Sequence, residues 1–321
     1  MKNKLALLVF ASAVLMTGCR THSQYHHDVV KETYFHKYGV PVAKADWENQ
    51  GKDGQIVSLR KDGVTISASY SKGILDGPTS YSFPNSSTIQ RVETYSNAQL
   101  VARRENYLSG VPVKEEIYEN NALTQLTRWY EDGTPQATEY YQNTFMVSGE
   151  YRTPLNVVES RVVDGHGTRI VRSNEGDLLS KDIVKNGQMI ERVTYFSNGD
   201  PATVAPFQSG VIHGTRLTFL QGGLPNTVEQ WVQGIQEGTT IVYQNGEKFA
   251  EVPYSNGYKN GIERRFRDGE LLVEEVTWKD NAKHGQRKVY VGGETQIEWY
   301  HNNELVSRTT YERMNMPRKT A

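Results

Sequence analysis

The chain has 321 residues, 36 of them basic and 37 acidic, for a formal net charge of −1. That balance excludes the basic footprint of a nucleic-acid binder and of a polybasic membrane surface. Apolar residues make up 37% while tyrosine alone numbers 19, which suits a thin sheet with a limited core rather than a thick globule.

The chain opens with Lys2 and Lys4, followed by Leu5–Met16, a twelve-residue run rich in apolar side chains. The run is too short to span a bilayer and fits a signal peptide over residues 1–18. Leu15-Met16-Thr17-Gly18-Cys19 then resembles the lipobox of bacterial lipoproteins, with Met16 where Leu is usual. The resemblance implies cleavage before Cys19 and lipid attachment, palmitate included, on its thiol. Cys19 is the only cysteine, so an internal disulfide is ruled out and lipid attachment accounts for it. Removing residues 1–18 takes two lysines and no acid, which leaves 34 basic against 37 acidic residues and a net charge of −3. Arg20 stands where lipoproteins kept at the inner membrane carry Asp. The resemblance therefore implies a periplasm-facing envelope protein, at the outer membrane rather than the inner.

Residues 19–45 are polar and His-rich, and read as a tether between lipid and fold. His22, His26, His27 and His36 lie there without a cysteine or an acidic partner, so they read as local polarity and not as a metal site. From Asp46 the texture changes. Gln55–Leu59 and Val64–Tyr70 are strand-like runs joined by Arg60-Lys61-Asp62-Gly63, an entry hairpin.

A repeat of about 23 residues follows, with lead positions at Tyr70, Tyr95, Tyr118, Tyr141, Val163, Val184, Phe207, Trp231, Tyr254, Trp278 and Tyr300. The clearest copy runs from Tyr254 to Gly269, with Gly257, Gly261, Phe266 and Gly269 at three, seven, twelve and fifteen residues from the lead. Trp231, Gly234, Gly238, Tyr243 and Gly246 repeat those offsets, as do Phe207, Gly210, Gly214, Phe219 and Gly222. Each copy holds two β-prone runs, each ended by a Gly, Asn or Asp turn. No stretch sustains a helical period over three turns. The copies are most worn in residues 142–182, around Pro154, the place for a bend or seam within the repeat domain 46–311. Residues 312–321 read as a tail.

The aromatic-x-x-G-x-x-x-G-x-x-x-x-aromatic-x-x-G spacing resembles the MORN repeat in its bacterial variant form. The resemblance implies an all-β fold, an elongated antiparallel β-hairpin repeat array in one twisted layer. It also implies binding, scaffolding or membrane-associated roles rather than catalysis, and bacterial members are often labelled antitoxin-like.

Glu93, Glu116, Glu139, Glu229 and Glu298 each lie two residues before a lead aromatic, on the same strand face. Arg104, Arg128, Arg216, Arg264 and Arg287 recur nine or ten residues after a lead. The two sets read either as a solvated cross-strand charge ladder or as a mixed aromatic and charged binding face. His213 and His284 share an offset that Asp76, Glu237 and Asn260 take in other copies, which marks a turn position. No nucleophile elbow and no phosphate loop is present, so no catalytic residue, metal or cofactor is assigned. Trp231, Tyr243, Trp278, Tyr290, Trp299 and Tyr300 are the candidate binding surface, since Tyr and Trp anchor interfaces. The expected role is a non-enzymatic scaffold, held to the membrane by the lipid on Cys19, with a protein, glycan or lipid-surface partner. An envelope hydrolase using the irregular middle copies, and a toxin-neutralising binder, are the alternatives.

Overall fold

The computed structural model describes residues 28–316, so the expected signal peptide, Cys19 and the last five residues lie outside the described residues. The chain divides into two compact units between Ala98 and Gln99. Both are antiparallel β throughout, with neighbours in the chain pairing as neighbours in the sheet.

The first unit holds the strands Val29–His36, Gly54–Arg60, Thr65–Ser71, Ile74–Ser82 and Ile89–Ser96, with a short strand Pro41–Val42 and one helix, α1 (Lys44–Asn49). The expected hairpin between Arg60 and Thr65 is present, with Leu59 opposite Thr65. The expected tether is not what residues 29–45 form. Val29–His36 pairs along its length with Gly54–Arg60, and Tyr34 is buried. The cause is local: Tyr34 and Trp47 supply apolar mass that covers the end of the sheet. Trp47, on α1, packs 5.6 Å from the Tyr34 ring and 5.7 Å from the Tyr70 ring. The fold therefore includes Val29–His36 and does not begin at Asp46.

The second unit runs from the strand Gln99–Asn106 to the strand Glu304–Val306 and ends in a second helix, α2 (Arg308–Asn315). The worn stretch 142–182 is not a seam. Phe145–Arg152, Val158–Val163, His166–Arg172 and Leu178–Lys185 pair without a break. With Pro135–Gln142 they carry the hydrophobic core of Ala137, Met146, Tyr151, Val162, Ile170 and Val184. Aromatics thin out there because Tyr151 and aliphatic side chains fill the same space.

One class of turn recurs in every copy. Two consecutive residues, such as Asn120-Asn121, Asn256-Gly257 and Asn302-Asn303, both hold positive φ. That geometry matches the right-handed twist of the strands it joins and favours Asn and Gly. In the fifth copy the turn is Asp164-Gly165, which places Val162 and not Val163 in the lead role. Val162 is 1% exposed and Val163 58% exposed, so the side chains confirm the shift by one residue. Successive turns are linked by backbone hydrogen bonds: Gly234 N–H to Ile212 O, Gly257 to Gln236, Asn281 to Lys259 and Asn303 to Lys283.

The position that accepts His, Asp, Glu or Asn has a clear duty. Its side chain receives the N–H that opens the next copy's turn. Glu237 accepts from Asn256 N at 2.7 Å, Asp76 from Asn97 N at 3.3 Å, and His213 Nδ1 from Gln233 N at 3.3 Å. Where the offset holds Val101, Val147 or Ile190, no side-chain acceptor is available and this contact is absent.

The glycine seven residues after the lead sits where one strand carries extra residues against its partner. Gly261 has φ +117°, and a Cβ on it would lie 3.1 Å from Pro253 Cγ. In the last copy that place belongs to Ser307. Ser307 caps α2, its hydroxyl accepting from Thr310 N at 3.1 Å.

Candidate binding faces of the second unit

Register and alternation divide the second unit's side chains between two faces. On one face a row crosses the strands just before the lead residues. Opposed pairs include Arg103 and Glu116, Glu116 and Leu126, Leu126 and Glu139, Arg169 and Asp182, Asp182 and Arg192, and Arg192 and Ala205. The row resumes at Arg216 and Glu229, and ends with Glu263, Val276, Arg287 and Glu298.

The expected acid column belongs to this row, and each expected acid bonds its lead aromatic. Tyr95 donates to Glu93 at 2.9 Å in the first unit. In the second unit Tyr118 donates to Glu116 at 3.0 Å, Trp231 Nε1 to Glu229 at 2.9 Å and Tyr300 to Glu298 at 3.1 Å, and Tyr141 donates to Glu139. The column is thus buried at Glu93 and Glu139 and open at its end, where the Glu298 side chain is 39% exposed. Glu139 is 1% exposed and Asp182 0%.

Buried carboxylates require partners, and these have them. Glu139 Oε1 accepts from Tyr151 at 3.1 Å and from Arg169 Nε at 2.7 Å, while Oε2 accepts from Tyr141 and from Arg169 Nη2 at 3.4 Å. Arg169 Nη1 also reaches Asp182 Oδ2 at 3.3 Å. Arg192 closes the set with a two-pronged contact to Asp182 at 2.7 and 2.8 Å. Burial disfavours the charge on Arg169, but the Glu139 carboxylate outweighs it and pushes the guanidinium's pKa up. Burial, then the charge on Glu139, pushes the Tyr141 and Tyr151 phenols up. Both Glu139 oxygens are thus engaged by two phenols and one guanidinium, which ties three strands together.

The phenols make the fold sensitive to alkali. Burial and the bond to Glu116 push Tyr118 up to about 12. Burial does the same for Tyr130, to about 12, against the opposing charge of Arg172. A tyrosine held above its unfolded value of about 10 stabilises fully below that pH. The contribution is lost as pH rises through the folded value. Equilibrium unfolding should therefore show stability falling between pH 10 and 12. The decline should flatten when Tyr118→Phe and Tyr130→Phe are combined; an unchanged slope in that variant would remove these two phenols as its cause.

The opposite face carries a different row. Val193, Val204, Leu217, Val228 and Ile241 stand opposite one another on five successive long strands. All five are half-exposed. The row is bounded by Lys181 on one side and continues on the other through Glu251, Arg264, Glu275, Lys288 and Ile297.

The six candidate aromatics do not form one surface. Trp231, Trp278 and Tyr300 lie on the ionic-row face. Tyr243, Tyr290 and Trp299 lie on the aliphatic-row face, since they are two residues from Ile241, Lys288 and Ile297 on their strands. None is fully exposed. Trp278 lies under Lys259 Nζ at 4.7 Å, Tyr290 donates to Glu275 at 2.9 Å, and Trp299 packs 5.0 Å from Tyr311 of α2. The recurrent arginines divide in the same way. Arg216 and Arg287 pair with Glu229 and Glu298 on the ionic face, at 3.1 and 2.8 Å. Arg264 pairs with Glu275 on the other, at 3.3 Å. The aliphatic row escaped sequence reading because its members are ordinary strand residues. The signal for it was the branched or Leu residue two places before an aromatic in Val193-Thr194-Tyr195, Leu217-Thr218-Phe219 and Ile241-Val242-Tyr243.

No family model matches the chain, and no curated protein does. Among solved structures it is similar to a chain in a crystal structure of TcdB2–TccC3, at 12% identity and a TM-score of 0.23, with 86% of this chain and 15% of that chain covered. A crystal structure of TcdB2–TccC3–Cdc42 gives 11% identity, a TM-score of 0.15 and coverage of 85% and 20%. A Tc holotoxin pore of Photorhabdus luminescens with a mutated TccC3 gives 11% identity, a TM-score of 0.13 and coverage of 76% and 16%. The chain thus spans a fifth or less of the length of these chains.

Proposed function

We propose that the chain is a non-enzymatic scaffold of the bacterial envelope, a MORN-type repeat protein anchored by lipid on Cys19 and presenting a sheet face to a partner. The observation that supports this reading is the contrast between the two faces of the second unit. One face is satisfied internally, each buried acid with its arginine or aromatic donor. The other carries a regular half-exposed aliphatic row across five strands. Repetition of this kind displays one chemistry over a length, which serves recognition of an extended partner.

Metabolic labelling with palmitate tests the anchor. Wild type should take up label and partition with membranes, and Cys19→Ala should lose both. Crosslinking in intact cells should give one dominant adduct that disappears in Cys19→Ala. An adduct pattern indifferent to Cys19 would sink the tethered reading. Trp231→Ala addresses the ionic face. Unfolding of that variant agrees with a structural role, and a folded variant that loses its partner would move the docking surface to that face.

A further inference from the structure

The aliphatic row defines the partner more closely, on the premise of the scaffold reading above. Neighbouring strands lie about 4.8 Å apart, so four steps from Val193 to Ile241 cover about 19 Å. A helix presents a side chain on one stripe every three or four residues, a rise of about 5 Å. The row and such a stripe therefore run in step for about thirteen residues. A strand laid along the same line would place a same-face side chain every ~7 Å and fall out of step.

The same face already holds a helix. Ile297 continues the row, and Trp299, two residues further along that strand, receives Tyr311 of α2 at 5.0 Å, with Arg308 5.9 Å from the Trp299 ring. The end of this face is thus closed by a short helix that uses one aromatic and one cation. The ends of the aliphatic row are also marked by charge, with Lys181 beside Val193 and Glu251 beside Ile241.

We propose that the row from Val193 to Ile241 docks an amphipathic helix of a partner protein. The helix lies across the strands with its apolar stripe on Leu217 and Val228. It carries an acidic residue at the Lys181 end; at the other end Glu251 is already paired with Lys248 at 3.0 Å. The face between them binds by side-chain packing, without strand addition.

The test uses the full chain, lipid-anchored in its own cells, with a benzophenone amino acid in place of Leu217. The expected result is a photoadduct to a protein segment whose apolar residues recur at intervals of three and four. That segment, synthesised, should gain helical circular dichroism when titrated with the protein. Val228→Asp should abolish the adduct while the β-sheet spectrum is retained, and Val228→Thr serves if the aspartate variant does not fold. Adducts only to lipid, to glycan or to a second copy of this chain would overturn the proposal, as would a segment that binds without gaining helix. The same amino acid in place of Trp231 separates the two levels of the reading. A protein adduct from the Trp231 position and none from Leu217 overturns helix docking and leaves the scaffold. Adducts from neither position overturn both.

Discussion

Arg169→Met should cost about 3–5 kcal/mol of the second unit's stability, read as a fall in the urea midpoint at unchanged slope. The substitution keeps most of the side chain's volume and removes its charge. Glu139 and Asp182, both essentially without solvent contact, are then left with one guanidinium fewer between them. Arg192 still holds Asp182, so Glu139 bears the larger share. Adding Glu139→Leu to Arg169→Met should restore much of the loss, because an apolar set of matched volume needs no counter-charge. A loss below about 1 kcal/mol for Arg169→Met would mean that water reaches this network and that the ionic row is a surface feature after all.

Trp47→Ala should be comparably severe for the first unit, at about 3–5 kcal/mol. Trp47 is buried against Tyr34 and Tyr70, and truncation exposes both rings at once. Hydrogen exchange localises the effect. Protection should fall in Val29–His36 and Gly54–Arg60, the pair that Trp47 covers. If the variant keeps wild-type protection in those strands, Val29–His36 is held by its ladder alone and α1 has no capping role.

The repeat was legible because its turns dictate residue type. Positive φ at two consecutive positions leaves few residues beside Asn, Asp and Gly, and the chain writes them in copy after copy. The acid column was legible as a spacing, since residues two apart share a strand face. Its burial at Glu93 and Glu139 was not, because burial depends on side chains brought from other strands. Residues 29–45 were misread because Val29–His36 falls before the first recognisable copy. Its fit to the sheet rests on Tyr34 meeting Trp47, a contact no spacing announces. Val163 was taken for a lead because the fourth copy, from Tyr141 to Val162, spans only 21 residues, and an alternating pattern hides a shift of one. Dividing the six candidate aromatics between faces required the cross-strand register, which follows from the extra residues in individual strands.

The chain of turn contacts has a consequence for how such a protein changes length. The copies led by Tyr70, Phe207 and Trp231 each offer their successor the same two things, a backbone carbonyl and a side-chain acceptor. Junctions of this kind are therefore interchangeable. A whole copy removed or duplicated in register re-forms a junction of the existing kind, whereas a half copy leaves a turn without its acceptor and reverses which face its side chains join. Length in this protein behaves as a count of units, open to adjustment by unequal recombination, while the two terminal helices stay with the ends they close.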